Sequence, residues 1–261
     1  MNKFFISILL VFIYNIQAFA GPYVFDDKTQ ASITTIATIT GFAFSITNSD
    51  FKPHTEYQVE LLMNKKLLGI NQISVDNFSD ANALVSDVLL GVCIAVPALQ
   101  IFDGRVKQDW GIYGLMYLES AALSISTTTL TKNIFRETRP YVYSSEAPME
   151  MKLTKDARQS FFSGHACLAF AGMTFFAETY GNYYPETSNH TLIWLGSMTL
   201  ASTTALLRVF SGRHFPIDIL VGSAVGFAIG KLIPYLHENK DLQNEYPDFK
   251  VSRIVAFNFN I

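Results

Sequence analysis

Arg208-Val209-Phe210-Ser211-Gly212-Arg213-His214-Phe215-Pro216-Ile217-Asp218 runs straight into an apolar stretch that continues to Leu236. From Ile217 onward that stretch has about the twenty residues a helix needs to cross a bilayer core. Pro216 suits a first helical turn, where its missing N–H would lack a partner in any case. His214 and Asp218 stand four residues apart at the helix start, so the carboxylate can reach back to an imidazole nitrogen. Such a bond fixes the tautomer, leaves the other nitrogen free to attack, and stabilises the positive charge formed on attack. One segment therefore predicts a membrane-spanning helix with a reactive histidine at its mouth.

Four further apolar runs precede it: Ala83 to Phe102, Trp110 to Leu130, Gly164 to Thr179 and Leu192 to Leu207. With hydrophobic residues at 49% and a mean hydropathy of +0.23, they predict an all-α, membrane-embedded bundle of about five to six helices. The bundle core is expected over residues 83–237. Residues 21–82 form an exported lead segment of modest structure, with a helix expected around Glu60 to Leu68, and residues 238–261 form a tail whose end has a strand pattern. Residues 1–20 place a lysine, an apolar run from Phe4 to Tyr14 and Ala18-Phe19-Ala20 ahead of Gly21, the pattern of a cleaved export signal.

If residue 21 is exported, counting five spans puts the loop Thr131 to Phe162 outside as well, with Lys132, Arg136, Arg139, Lys152, Lys155 and Arg158 on it. That placement opposes the preference of cations for cytoplasmic loops, and anion binding explains it. The expected location is a bacterial inner membrane, with the site facing the periplasm. A net charge of −3 and a pI near 5.9 exclude the global basic field that nucleic-acid binding requires. Cys93 and Cys167 lie inside apolar runs and read as packing residues, so no disulfide framework or thiolate metal site is implied.

The same count brings three segments to one membrane face: Lys132 through Arg139-Pro140, Ser163-Gly164-His165, and Arg208 with His214 and Asp218. Phosphate transfer needs cations around the oxygens, an in-line nucleophile and an acid for the departing oxygen. Lys132, Arg139 and Arg208 supply the cations, and arginine forks suit bidentate bonds to phosphate. Ser163 is expected as the N-cap of the helix that Gly164 opens, where backbone amides and the helix dipole face an anion. His214 is the expected nucleophile, Asp218 its orienting carboxylate, and His165 the acid for the leaving alkoxide.

Lys132-x6-Arg139-Pro140, Ser163-Gly164-His165 and Arg208-x5-His214-x3-Asp218 resemble the three motifs of the type 2 phosphatidic acid phosphatase superfamily, in the same order. The resemblance implies a helical bundle, catalysis that needs no metal or other cofactor, and these eight residues as the phosphate-binding and catalytic set. It departs from the family pattern at Phe162, where proline usually precedes Ser-Gly-His, and at Leu207, where serine usually precedes the arginine. Losing that serine removes a hydrogen bond worth roughly 0.5–1.5 kcal/mol.

The expected substrate is a phosphorylated lipid, with membrane lipids around the bundle. The rival readings are a soluble periplasmic acid phosphatase, a vanadate-dependent haloperoxidase and a non-catalytic phospholipid-binding protein. Arg136 and Arg158 fall outside the motifs and read as solvated or headgroup-binding residues. His54, His190 and His237 read as surface histidines. Glu119 and Asp87, inside apolar runs, read as making helix–helix hydrogen bonds.

Overall fold

The computed structural model describes residues 21–24, six positions between 33 and 43, and residues 51–239. The expected export signal, and the tail from residue 240 onward with its expected strand, lie outside the described residues. Among them the chain is helical: α1 (Glu56–Met63), α2 (Asn71–Asp76), α3 (Asp80–Leu99), α4 (Trp110–Phe135), α5 (Met149–Lys152), α6 (Gly164–Tyr183), α7 (His190–Val209) and α8 (Pro216–Leu236). The five long helices match the five expected apolar runs and form an antiparallel bundle, as the all-α expectation required.

The middle of the bundle is α6, with 14 of its 20 residues buried. Its alanines and glycines let neighbouring backbones come close. A Cβ on Gly226 of α8 would lie 2.1 Å from the Cys167 carbonyl oxygen of α6, so only glycine permits that approach. On its other sides α6 meets α4 through Tyr113 and Tyr117 against Phe175, at ring distances of 5.3 and 5.5 Å. It meets α3 and α7 in a cluster of Cys93, Ala169, Met173 and Ala201. Both cysteines are free and buried, as packing residues should be.

Three of the five runs lie in helices long and apolar enough to cross a membrane: Asp80–Phe102, His190–Val209 and Pro216–Leu236. The other two of the five expected runs, in α4 and α6, are more polar than these three, and packing accounts for their polar residues. Because α6 is enclosed by other helices, Thr174, Thr179 and Glu178 on it need protein partners rather than lipid; Glu178 finds Lys231 at 2.8 Å. On α4 the hydroxyls of Ser124, Thr127, Thr129 and Thr131 turn back to carbonyls one turn earlier at 2.6–2.8 Å, which satisfies them within the helix.

From the lead segment, Tyr23 and Ile33 belong to the main hydrophobic core. The helix expected near Glu60 to Leu68 lies earlier, at Glu56–Met63, where Thr55 caps it by accepting from the Gln58 N–H. Its Val59 packs with Tyr141, Val142 and Ala157.

Residues 21–24 sit beside the C-terminal end of α8, through Val24 N–H donating to the His237 carbonyl at 2.8 Å and Asn239 N–H to the Pro22 carbonyl at 2.9 Å. Phe51, by contrast, lies against Arg136, just past the C-terminal end of α4. Residues 21–24 and Phe51 thus lie at opposite ends of the bundle. This corrects the five-span count, which had put residue 21 on the same side as the catalytic ends. His237 is corrected as well: it is fully buried, with Nε2 2.9 Å from Glu119 Oε2. Glu119 therefore makes the helix–helix bond expected of it.

Candidate active site

The turn between α7 and α8 delivers His214. The Arg208 carbonyl accepts from both Arg213 N–H at 3.0 Å and His214 N–H at 3.1 Å, and the reversal between them uses Gly212 at φ +69°. An L side chain there would be strained, and its Cβ would come 3.1 Å from the Ser74 carbonyl. Two residues on, Pro216 opens α8.

Asp218 both caps that helix and holds the histidine. Its Oδ2 accepts from Phe215 N–H at 2.9 Å and from the Ser160 hydroxyl at 2.5 Å, and lies 3.4 Å from His214 Nδ1. On the other side of the ring, Arg139 Nη1 is 3.4 Å from Nε2. A guanidinium can only donate, so Nε2 offers its lone pair and the ring proton sits on Nδ1, facing Asp218. His214 is 1% exposed and Asp218 is fully buried. Burial, then the positive charges of Arg139, Lys132 and Arg208, hold the His214 pKa well below the ordinary histidine value. At neutral pH the ring is an uncharged base with its free nitrogen aimed among cations.

Those cations form a cradle. Arg139 is fixed from behind by Asp156, with Nη2 2.7 Å from Oδ1 and Nε donating to the backbone carbonyl at 3.0 Å. Arg208 donates from Nη1 to Asp87 at 3.0 Å, while its buried Nε has no acceptor among the described residues. Lys132, in the last turn of α4, lies close enough to Arg139, Asp156, Arg208 and Asp218 for each charge to act on it. Ser163 is the N-cap of α6, its hydroxyl accepting from Ala166 N–H at 3.4 Å. Gly164 follows, where a Cβ would press to 3.1 Å on the Thr128 methyl of α4. The arrangement suits a tetrahedral oxyanion: donors on several sides, a helix N-terminus beneath and a nucleophilic nitrogen at one apex.

His165, in the first turn of α6, points to the mouth of this cradle and is a quarter exposed. Its Nε2 lies 2.7 Å from Asp87 Oδ1, the same oxygen that Arg208 contacts. Asp87 was expected to make a helix–helix bond and does so, but its partners are two motif residues. Asp156 and Ser160 were not singled out in the sequence at all. Their loop carries no motif, and only a search for carboxylate and hydroxyl partners to Arg139 and Asp218 would have pointed to them. The eight expected site residues thus lie together, drawn from the facing ends of α4, α6, α7 and α8.

The PAP2 superfamily model matches residues 113–242, which include every one of those eight. The Schizosaccharomyces pombe protein named "Probable diacylglycerol pyrophosphate phosphatase 1" is 26% identical over 222 residues, 71% of this chain and 79% of that one. The lipid A 1-phosphatase of Porphyromonas gingivalis is 38% identical over 76 residues, which cover 29% of this chain and 16% of the relative. Among solved structures, a transmembrane PAP2-type phosphatidylglycerolphosphate phosphatase from Bacillus subtilis aligns with 94% of this chain and 98% of its own, at 19% identity and a TM-score of 0.45. The match of the family model to the segment that carries the three motifs, joined to their convergence in one cradle, leads to the conclusion that this chain belongs to the PAP2 superfamily.

Proposed function

We propose that this chain is a membrane phosphatase that removes phosphate from a phosphorylated lipid, a monoester or a diphosphate, through a phosphohistidine on His214. The observation that carries the reading is the position of His214, with Nδ1 toward Asp218 and Nε2 toward the Arg139 guanidinium. In the first step Nε2 bonds to phosphorus as the bond to the leaving oxygen breaks, and Asp218 stabilises the imidazolium. His165 acts in its imidazolium form: the Nε2 proton bonds to Asp87, and Nδ1 carries the second proton, which passes to the leaving alkoxide or phosphate and leaves the ring neutral. In the second step His165 takes a proton from water, the water oxygen bonds to phosphorus, and the phosphorus–nitrogen bond breaks. Lys132, Arg139, Arg208 and the α6 N-terminus neutralise the equatorial oxygens throughout.

The test is phosphate release by detergent-purified protein on phosphatidic acid, a lipid diphosphate, lipid A and a soluble aryl phosphate, with His214→Ala as control. A preference for a lipid supports the reading; equal or better use of the aryl ester favours the soluble acid-phosphatase alternative. Acid quenching after brief exposure to labelled substrate should trap label on wild type and His165→Ala but not on His214→Ala. Label that survives in His214→Ala would refute the assigned nucleophile.

We place the site on the periplasmic face, which requires residues 21–24 to be cytoplasmic, since they lie at the far end of the bundle. Support comes from the anion cradle, which accounts for Lys132 and Arg139 at the active end without a positive-inside preference. An exported residue 21 would instead turn the site to the cytoplasm and satisfy the positive-inside preference. Both native cysteines are buried, so single cysteines at Ser145 and Ser188 report the two ends. Labelling of Ser145→Cys alone by an impermeant thiol reagent in intact cells is the expected result; labelling of Ser188→Cys alone would reverse the orientation.

A further inference from the structure

Beside the catalytic cradle, three cations gather on one aromatic ring. Arg136, Lys155 and Arg158 approach the Phe51 ring with their charged groups 5.1, 5.7 and 5.9 Å from its centroid, and Phe51 itself is buried. Like charges held this close repel one another, and a carboxylate would normally sit among them. Each cradle or flanking arginine has one: Arg139 has Asp156, Arg208 has Asp87 and Arg213 has Asp80. Among the described residues, Arg136, Lys155 and Arg158 have none.

Their placement is also held at some cost. Arg136 ends α4 in the left-handed conformation, at φ +50°, a position where glycine or asparagine is the relaxed choice. Its Nε is tied to the Asn133 carbonyl at 2.8 Å. Arg158 is anchored through Nη1 to the Lys52 carbonyl at 2.8 Å, and its buried Nε finds no acceptor among the described residues. Lys155 and Arg158 flank Asp156, the residue that fixes Arg139, so the cluster and the cradle share one short turn. Next to the cations, Ile134 and Phe135 at the end of α4 are exposed. Exposed apolar side chains beside unpaired cations at a helix end are the pattern of a surface that rests on headgroups.

We propose that Arg136, Lys155 and Arg158, gathered on Phe51, form a second anion site beside the catalytic cradle that takes a phosphate group carried by a membrane lipid. It deepens the lipid-phosphatase reading and rests on it for its kinetic consequences. The phosphate comes from one of two sources: the distal phosphate of a diphosphate substrate, or the headgroup of a neighbouring anionic phospholipid that positions the enzyme.

The experiment compares wild type with Arg136→Gln/Lys155→Gln/Arg158→Gln in neutral detergent micelles, on phosphatidic acid, diacylglycerol diphosphate and p-nitrophenyl phosphate, with and without phosphatidylglycerol. The expected result is unchanged hydrolysis of p-nitrophenyl phosphate and a KM for lipid substrate raised by roughly fivefold per cation removed. A rise confined to the diphosphate identifies the substrate's own second phosphate. A rise on both lipids, together with loss of any stimulation by phosphatidylglycerol, identifies the neighbouring headgroup. Native mass spectrometry of phosphatidylglycerol retained by each protein reads the site without turnover, so it stands even if wild type releases no phosphate from any ester. Unchanged KM values on both lipids together with equal lipid retention would overturn the proposal. Arg158→Lys, which keeps the charge, should retain wild-type behaviour if charge rather than the Lys52 anchor matters, and thermal unfolding of each variant guards against a folding defect.

Discussion

Replacing Asp87 by alanine tests whether His165, the proposed acid at the mouth of the cradle, is positioned by a residue outside the three motifs. One carboxylate oxygen lies 2.7 Å from His165 Nε2 and 3.0 Å from Arg208 Nη1, so the substitution frees both groups at once. The Asp87 side chain is 56% exposed, and each pair is therefore discounted to about 1 kcal/mol, the upper part of the range for solvent-screened ion pairs. Together they amount to about 2 kcal/mol, or roughly 30-fold in kcat/KM. The loss should depend on the leaving group. An alkoxide needs the proton from His165, whereas nitrophenolate departs without one, so a lipid or alkyl phosphate should lose about fivefold more than p-nitrophenyl phosphate. Steady-state rates on the two esters, with Asp87→Asn as the near-isosteric partner, provide the measurement. An equal loss on both esters would mean that Asp87 serves only to hold Arg208, and a loss below about threefold on the alkyl ester would refute the positioning role.

Substituting His165 by alanine should slow turnover by about 10²–10⁴-fold while leaving the binding of vanadate, a phosphate mimic, within a few-fold of wild type; loss of vanadate binding would place His165 in the cradle itself. The depressed pKa of His214 means that folding favours its neutral form. That contribution is complete above the ordinary value of 6.5 and is lost as pH falls through the folded value. The Tm advantage of wild type over His214→Gln should therefore shrink as pH drops below 6.5, and an advantage that grows in acid would contradict the assignment. Gly226→Ala forces a Cβ onto the Cys167 carbonyl and should cost about 1–3 kcal/mol in detergent, whereas Gly196→Ala, with nothing within 4 Å, should be neutral or better. Similar thermal unfolding of these two variants would show that the tight α6–α8 contact is not what limits stability.

Much of the site was legible because its chemistry is written in short-range spacing. His214 and Asp218 meet because a helix brings residues four apart to one face, and Ser163 caps because it precedes an apolar helix that opens with glycine. The apolar runs located the long helices, since length and hydrophobicity are local properties. What the sequence concealed concerns partners distant along the chain. Asp87 stands 78 residues from His165 and 121 from Arg208, and Ser160 stands 58 from Asp218. No periodicity links such positions. The sequence also did not show that α6 is enclosed by the helices around it, because burial depends on neighbours distant along the chain.

The sequence by itself determined the class of fold and pointed to the eight residues that the structure gathers in one cradle, and it proposed for them the roles of cations, nucleophile, orienting carboxylate and acid. Those follow from side-chain chemistry and from helical geometry over a few residues. The tertiary structure alone decided that residues 21–24 and the cradle lie at opposite ends of the bundle. It alone decided that Asp87, Asp156 and Ser160 hold the motif residues in place, and that three cations with no carboxylate partner among the described residues gather on Phe51. The physical reason is the same in each case: close packing of α6 against its neighbours sets which helix ends meet, and that packing depends on contacts that no single stretch of chain contains.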